Sequence, residues 1–337
     1  MTHALAPHAA ARRRCLRLAF GTAELATLAP RAAALLQWRE RVALGFGTTL
    51  WLRAAHADAA RVNAALDAAL REVRHLHAQL SLFDTGGALA QLNRDGRLRN
   101  PHPDLLAALR LARDVASRSG GAFDATVQPM WLAWDAARRA GRRLSDDELQ
   151  AVRARVDWRG VEATRECVRL AHPAMALTLN GIAQGIAADR ARDTLRAHGI
   201  AHALVDTGEW AALGRAPEGG AWTLGVANPR RADTIVARLR CDDGRALATS
   251  SDAEYAFVDD HSEHHILDPR TGHSPGDIAS VTVVAPSCAL ADALTKVVFM
   301  AGWRDALDAA QRFGADALVV DKGGRWKASP GIGLAVT

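Results

Sequence analysis

The 337-residue sequence is short of several things, and each shortage removes a class of explanation. Lysine occurs only at Lys296, Lys322 and Lys327, so the basic side chains are nearly all arginine, and the net charge is a modest +5. No Lys/Arg run with interleaved aromatics occurs in the body of the chain, which argues against a nucleic-acid surface. The cysteines Cys15, Cys167, Cys241 and Cys288 form no C-x-x-C pair and no Cys/His zinc spacing, so neither a disulfide framework nor a zinc site is expected. No uninterrupted apolar stretch approaches the roughly 20 residues that span a bilayer, so stable membrane insertion is not expected. Also missing are G-x-x-x-x-G-K-[ST], a strand-placed G-x-G-x-x-G and a G-x-S-x-G elbow. Those gaps count against P-loop, Rossmann and α/β-hydrolase chemistry, even though Ser250-Ser251 would supply a hydroxyl.

What is present is an ordinary apolar fraction over a length sufficient for a sizeable core. Arg12-Arg13-Arg14 precede Cys15-Leu16-Arg17-Leu18-Ala19-Phe20 and then Ala32-Ala33-Ala34, the order of a twin-arginine export signal. Arg17 and Glu24 interrupt its apolar part. Residues 1–34 are therefore read as an export signal or disordered leader, with a periplasmic destination expected and a cytoplasmic one as the alternative. Residues 35–337 are read as one domain.

Along that domain, Arg41–Arg53 reads as a strand kinked at Gly45-Phe46-Gly47, and Val62–Leu80 as a helix with apolar residues at helical spacing. Pro103–Ser119 reads as a second helix, stopped by Gly120-Gly121. The GAFDATVQPMW loop follows, with Pro129 and the nearby tryptophans as a suggested ligand wall. Ser145–Val156 is an Arg-rich helical segment. Further on, HALVDTGEWAALG is a buried strand with a glycine turn, SVTVVAP is a strand, and Ser287–Gly302 is a helix with Ser287 as its N-cap. Strands and helices mix without regular βαβ alternation, so the expected class is α+β with largely antiparallel sheets.

The chemistry-bearing pieces lie in the second half. LTLNGIAQGIAA (Leu177–Ala188) reads as a short strand, a tight Asn180–Gly181 turn and a helix whose free N–H groups would seat a phosphate. Gly181 and Gly185 would let a group approach the backbone there. Asp292, Thr295 and Lys296 share one helix face; their oxygens suit a hard cation such as Mg²⁺, or else Asp292 and Lys296 form a plain surface pair. His261, His264 and His265 invite a metal reading, but HHILDP looks strand-like, which sends His264 and His265 to opposite faces. At most one then points inward, to contact a ligand or move a proton. Asp268-Pro269-Arg270-Thr271-Gly272 reads as a turn organised by Asp268. Glu209 is either a base or a loop carboxylate.

Taken in order, GFGTT, SLFDTGGALAQLN, GGAFDATVQP, LNGIAQGIAADRA, LVDTGEWAALG, ATSSDAEYAF, HHILDPRTG and VTVVAPSCALADAL resemble the FAD:protein FMN transferase (ApbE-like flavin transferase) family, from about Arg41 to about Val320. The resemblance implies an FAD-binding α+β fold. It also implies Mg²⁺-dependent transfer of FMN from FAD to a Thr or Ser of a partner redox protein, with AMP released. By position it implies FAD contacts at Phe46, Phe83, Ala122, Phe123, Asp124, Thr178, Gln184 and Ile266. The metal ligands it implies are the Gly181 carbonyl, Asp292 and Thr295. His265 is the candidate base, Asp268 orients its loop, and Lys296 completes the catalytic set. The family usually has Asp at the position of Thr178, a charged residue at that of Gln184 and Thr at that of Lys296. Lys296 is therefore expected to replace part of the metal's role or to weaken metal binding. Competing functions for the same site are a non-catalytic FAD carrier or sensor, and an FAD pyrophosphatase yielding FMN and AMP.

Overall fold

The computed structural model describes residues 16–18, 36–231 and 233–335. In chain order these form β1 (Leu16–Leu18), β2 (Gln37–Gly45), β3 (Thr48–His56), α1 (Ala59–Leu80), α2 (Ala88–Asp95), β4 (Arg97–Arg99) and α3 (Pro103–Arg118). Next come α4 (Gln128–Arg139), α5 (Asp146–Arg153), β5 (Val161–Ala163), β6 (Cys167–Leu170) and α6 (Ala183–Ala197). The remainder is β7 (His202–Asp206), β8 (Trp210–Leu213), β9 (Trp222–Ala227), β10 (Ile235–Cys241), β11 (Ala246–Ser251), β12 (Ile278–Ala285), α7 (Cys288–Gln311), β13 (Asp316–Asp321) and β14 (Trp326–Ala328).

An eight-stranded antiparallel sheet, ordered β14-β13-β12-β11-β8-β7-β3-β2, is the frame. Its central strands are buried on both faces, so they read as continuous apolar runs. Alternation assigns each residue a side. Ala203, Val205, Val281, Val283, Ala317 and Val319 face the main core beneath α1, α6 and α7. Leu204, Trp210, Val284, Leu318 and Val320 face a second core closed by Trp222, Leu224 and Val226 of β9 and Leu239 of β10. The antiparallel α+β class expected from the sequence is the class observed. Leu16–Leu18, inside the segment read as a leader, pairs with β9 as an edge strand. The remainder of that segment lies outside the described residues.

Helix ends follow local chemistry. Asp58 caps α1 by accepting from the amides of Ala60 and Arg61, and Ser145 and Glu148 form a reciprocal capping box at α5. Ser287 caps α7, which breaks at Gly302 (φ 72°), the stop the sequence pointed to.

Several sequence expectations are corrected. Arg41–Arg53 is not one kinked strand but the β2–β3 hairpin, with Phe46 (φ 51°) and Gly47 (φ 74°) as its two-residue turn. Leu177–Asn180 is not a strand: the Asn93 side-chain amide takes both the N–H and the C=O of Leu177, and Thr178 N–H donates to the Ala125 carbonyl. A side chain thus replaces a neighbouring strand in satisfying the backbone. HHILDP is likewise irregular, with one isolated bridge between Ala256 and His264. In the segment after Gly121, the α4 residues Met130 and Trp134 pack with Phe257 and Leu267 as a small separate core, so Trp134 forms no ligand wall.

Candidate active site

The corner at Gly181 is where the N-terminus of α6 meets α7. A Cβ on Gly185 would lie 2.4 Å from the Cys288 carbonyl oxygen and 2.7 Å from the Ala289 Cα. Gly185 is therefore needed for the helix crossing, not for a ligand. Its N–H donates to Asp292 Oδ2 (3.3 Å) across that crossing. The amides of Asn180, Ile182 and Ala183 are also engaged, by Thr178 Oγ1 and the Leu179 carbonyl. The amide-rich phosphate seat expected from the sequence is thus largely committed to internal bonds.

What faces the corner instead is a charged pair. Asp292 is buried (1% exposed), and Lys296 Nζ sits 2.5 Å from its Oδ1 and 3.1 Å from its carbonyl oxygen. A Cβ on Gly181 would lie 3.1 Å from Cε2 of Phe123 and 3.3 Å from Cε of Lys296. Gly181 and Phe123, distant in sequence from each other and from the Asp292–Lys296 pair, therefore converge with it. Thr295 does not join them at the open face. Fully buried, its hydroxyl donates to the Asp292 carbonyl and pairs with Ser250 Oγ of β11 (2.8 Å), toward the sheet.

This geometry tests the magnesium ligand set. Mg²⁺ needs near-octahedral oxygens at roughly 2.0–2.1 Å. Here one Asp292 oxygen holds an ammonium, the other takes an amide, and Thr295 is turned away. A cation on Oδ1 would lie within about 4 Å of Nζ, where unit charges repel by about 4 kcal/mol at an effective dielectric of 20, and a dication by twice that. With Lys296 in this position the residues present do not fit a resident divalent ion.

Glu209, at the β7–β8 turn, is the residue that the sequence left as either a base or a loop carboxylate. It is buried, accepts the Thr249 N–H (2.9 Å), and burial first, then the nearby Asp292, pushes its carboxyl well above the usual range. The available signal was its place between two largely buried strands. Gln184 is also buried here: its carbonyl accepts the Thr207 hydroxyl (2.7 Å), and its side chain lies where a Cβ on Gly208 would be.

The other implied FAD contacts divide by what their side chains already do. Asp124 organises its loop: Oδ1 accepts the Thr126 amide and hydroxyl (2.7 Å each) and Oδ2 the Trp158 amide (3.0 Å). Burial raises its pKa, partly offset by those bonds. Thr178 is half-buried and holds the Asn180 amide. Phe46 is buried, its strained turn held by an N–H bond to His77 Nδ1 (3.0 Å). Burial lowers the His77 pKa, in keeping with its acceptor role. Phe83 is exposed and covers Gly47, leaving its ring accessible beside the hairpin.

The 264–272 loop also contacts α7, where Arg270 reaches the Met300 carbonyl (3.4 Å). His264 is fully buried; burial, then the Lys322 charge, lowers its pKa to about 4, so the ring is neutral and structural. His265 is half-exposed, with Nδ1 3.3 Å from the Tyr255 carbonyl. A carbonyl only accepts, so Nδ1 carries the proton and Nε2 is the ring's acceptor atom. The two ring centroids lie 6.4 Å apart, one ring buried and the other half-exposed, and no strand sends them to opposite faces. Asp268 grips Arg270 through both oxygens (2.9 and 2.7 Å), and Ile266 is buried in the main core. Arg270, Ala122, Arg118, Val297 and Met300 line a cavity of about 120 Å³, of which Ala122 and Val297 are chain neighbours of Phe123 and Lys296.

His75, His102 and Asp104 form a separate cluster with ligand atoms within 4.8 Å of one another. Arg190 of α6 bonds the other Asp104 oxygen (2.6 Å) and Glu72 of α1 (2.9 Å), so the group staples α1, α3 and α6.

Comparison with known proteins gives a single answer. The sequence profile of the ApbE family matches residues 46–319. The FAD:protein FMN transferase of Treponema pallidum is 31% identical over 295 residues, covering 81% of this chain and 82% of that protein. That of Klebsiella pneumoniae is 34% identical over 223 residues, covering 64% and 68%. The crystal structure of the ApbE protein of Thermotoga maritima superposes with a TM-score of 0.77 at 27% identity, covering 87% of this chain and 97% of that one. With the antiparallel frame, the Gly181 corner and these matches together, the chain belongs to the ApbE family.

Proposed function

We propose that this protein transfers FMN from FAD to a threonine or serine hydroxyl of a partner redox protein, releasing AMP. The observation that carries the reading is the convergence of Gly181, Phe123, Asp292 and Lys296 at one corner of an ApbE-family fold. In this reading the FAD diphosphate lies over the corner, against Lys296.

The acceptor hydroxyl oxygen forms a bond to the FMN phosphorus, and the bond from that phosphorus to the bridging oxygen breaks. AMP leaves with the bridging oxygen, and the hydroxyl proton passes to Nε2 of His265. Nδ1, donated to the Tyr255 carbonyl, fixes the ring's tautomer. Asp268, by holding Arg270 and the turn amides, positions the loop that carries His265. The magnesium ion implied by the resemblance would draw on Asp292 and the Gly181 carbonyl; the ammonium on Asp292 is why no step is assigned to it.

The test is incubation of the purified protein with FAD and a candidate acceptor domain, reading covalent flavin by mass spectrometry and AMP by chromatography. Flavin on the acceptor is expected, with His265→Ala slowing transfer by about a hundredfold or more while FAD affinity is unchanged. AMP without labelled acceptor would replace this reading with a pyrophosphatase, and intact bound FAD with a carrier.

A further inference from the structure

We propose that the Lys296 ammonium is the resident cation of this site, holding the FAD diphosphate directly so that the protein binds FAD without a divalent metal. The inference rests on the flavin reading above and deepens it.

Position is the first argument. The Lys296 side chain is 21% exposed while that of Asp292 is 1% exposed, so the ammonium lies on the solvent side of the carboxyl and an incoming anion meets it first. Its stem crosses Gly181, where a Cβ would come within 3.3 Å of Cε. A side chain at this position would crowd the lysine by a few tenths of an ångström.

Donor count is the second. An ammonium has three N–H donors. Asp292 Oδ1 and the Asp292 carbonyl take two of them, which fixes the head group and leaves one for a phosphoryl oxygen. The neighbouring backbone offers little in competition, because the amides of Asn180, Ile182, Ala183 and Gly185 are bonded internally. A tethered lysine binds phosphate as a point charge, with no coordination geometry to satisfy. It also needs no metal from solution.

The acidic partner fits the same role. Asp292 holds the ammonium through its side chain and its carbonyl, four residues back on the same helix. Thr295, the other side-chain oxygen that a metal would draw on, is committed to Ser250. The carboxyl thus acts as a positioning group for a cation built into the chain.

The experiment uses the wild-type protein first, so that no variant need fold. FAD affinity is measured by flavin fluorescence in EDTA and in millimolar Mg²⁺, and Mn²⁺ binding by electron paramagnetic resonance. The dissociation constant is expected to agree within about threefold between the two conditions, with no stoichiometric Mn²⁺ signal. Lys296→Thr is expected to bind FAD about tenfold or more weakly in EDTA and to recover on adding Mg²⁺. A tenfold gain in wild-type FAD affinity with Mg²⁺, one bound Mn²⁺ per chain, or a Lys296→Thr protein that binds FAD normally in EDTA would each overturn the proposal. FAD binding without metal but without covalent transfer would sink the transferase reading and leave this one standing. No FAD binding in either condition sinks both.

Discussion

Replacing Gly185 by alanine places one methyl group where α6 crosses α7. The new Cβ would sit 2.4 Å from the Cys288 carbonyl oxygen, 2.6 Å from its carbon and 2.7 Å from the Ala289 Cα. These are backbone atoms, so no rotamer change relieves the contact, and restoring an ordinary separation near 3.5 Å parts the helices locally by roughly 1 Å. Overpacking of this kind costs about 1–3 kcal/mol. Parting also stretches the Gly185–Asp292 hydrogen bond, already 3.3 Å long, at a cost of about 1 kcal/mol. Alanine's helix propensity returns about 1 kcal/mol. Crowding wins, and Gly185→Ala is expected to lose about 2 kcal/mol in urea unfolding. Gly220→Ala is the control. No atom lies within 4 Å of its Cβ and its φ is not positive, so the change should stay within about 0.5 kcal/mol. A Gly185→Ala protein as stable as wild type would refute the assignment of this glycine to the helix crossing.

Asp252→Asn should be more costly. Asp252 is fully buried and accepts both Arg230 Nη groups (2.7 Å each) and Lys322 Nζ (2.6 Å). Burial raises its pKa, but the two cations outweigh that and lower it overall. Leaving both cations facing an amide is expected to destabilise by about 3–5 kcal/mol, read as a drop in thermal midpoint; a loss under about 1 kcal/mol would contradict it. His264 supplies a pH signature. Its folded pKa, about 4, lies below the unfolded value near 6.5, so the unfolded chain takes up the proton first as pH falls. The neutral ring's contribution is complete above about 6.5 and is lost between there and about 4, by up to about 3 kcal/mol. The pH slope of stability in that window should be shallower in His264→Gln than in wild type, and equal slopes would rule the account out.

The sequence is most legible where structure is local. The Ser145 capping box, Pro103 opening α3, Ser287 capping α7 and Gly302 breaking it all act within a few residues of themselves. The unbroken apolar run of β12 likewise announces a strand covered on both faces. Misreadings arose where a distant partner decides. Leu177 reads as a strand residue from its apolar alternation with Leu179, but Asn93 supplies its bonds. Trp134 looked like a ligand wall, but Phe257 stacks on it.

From the chain alone came the antiparallel α+β class, the family, and the i, i+4 spacing that lets Lys296 reach Asp292. Periodicity and spacing act within one element, so they can be read without knowing what that element packs on. Only the tertiary structure decided that Asp292 is buried, that Glu209 lies beside it, that Gly185 belongs to a helix crossing, and that the lysine stem crosses Gly181. Those facts depend on how closely α6 approaches α7 and where the β7–β8 turn ends. Packing of whole elements sets both, and no short stretch of sequence carries that information.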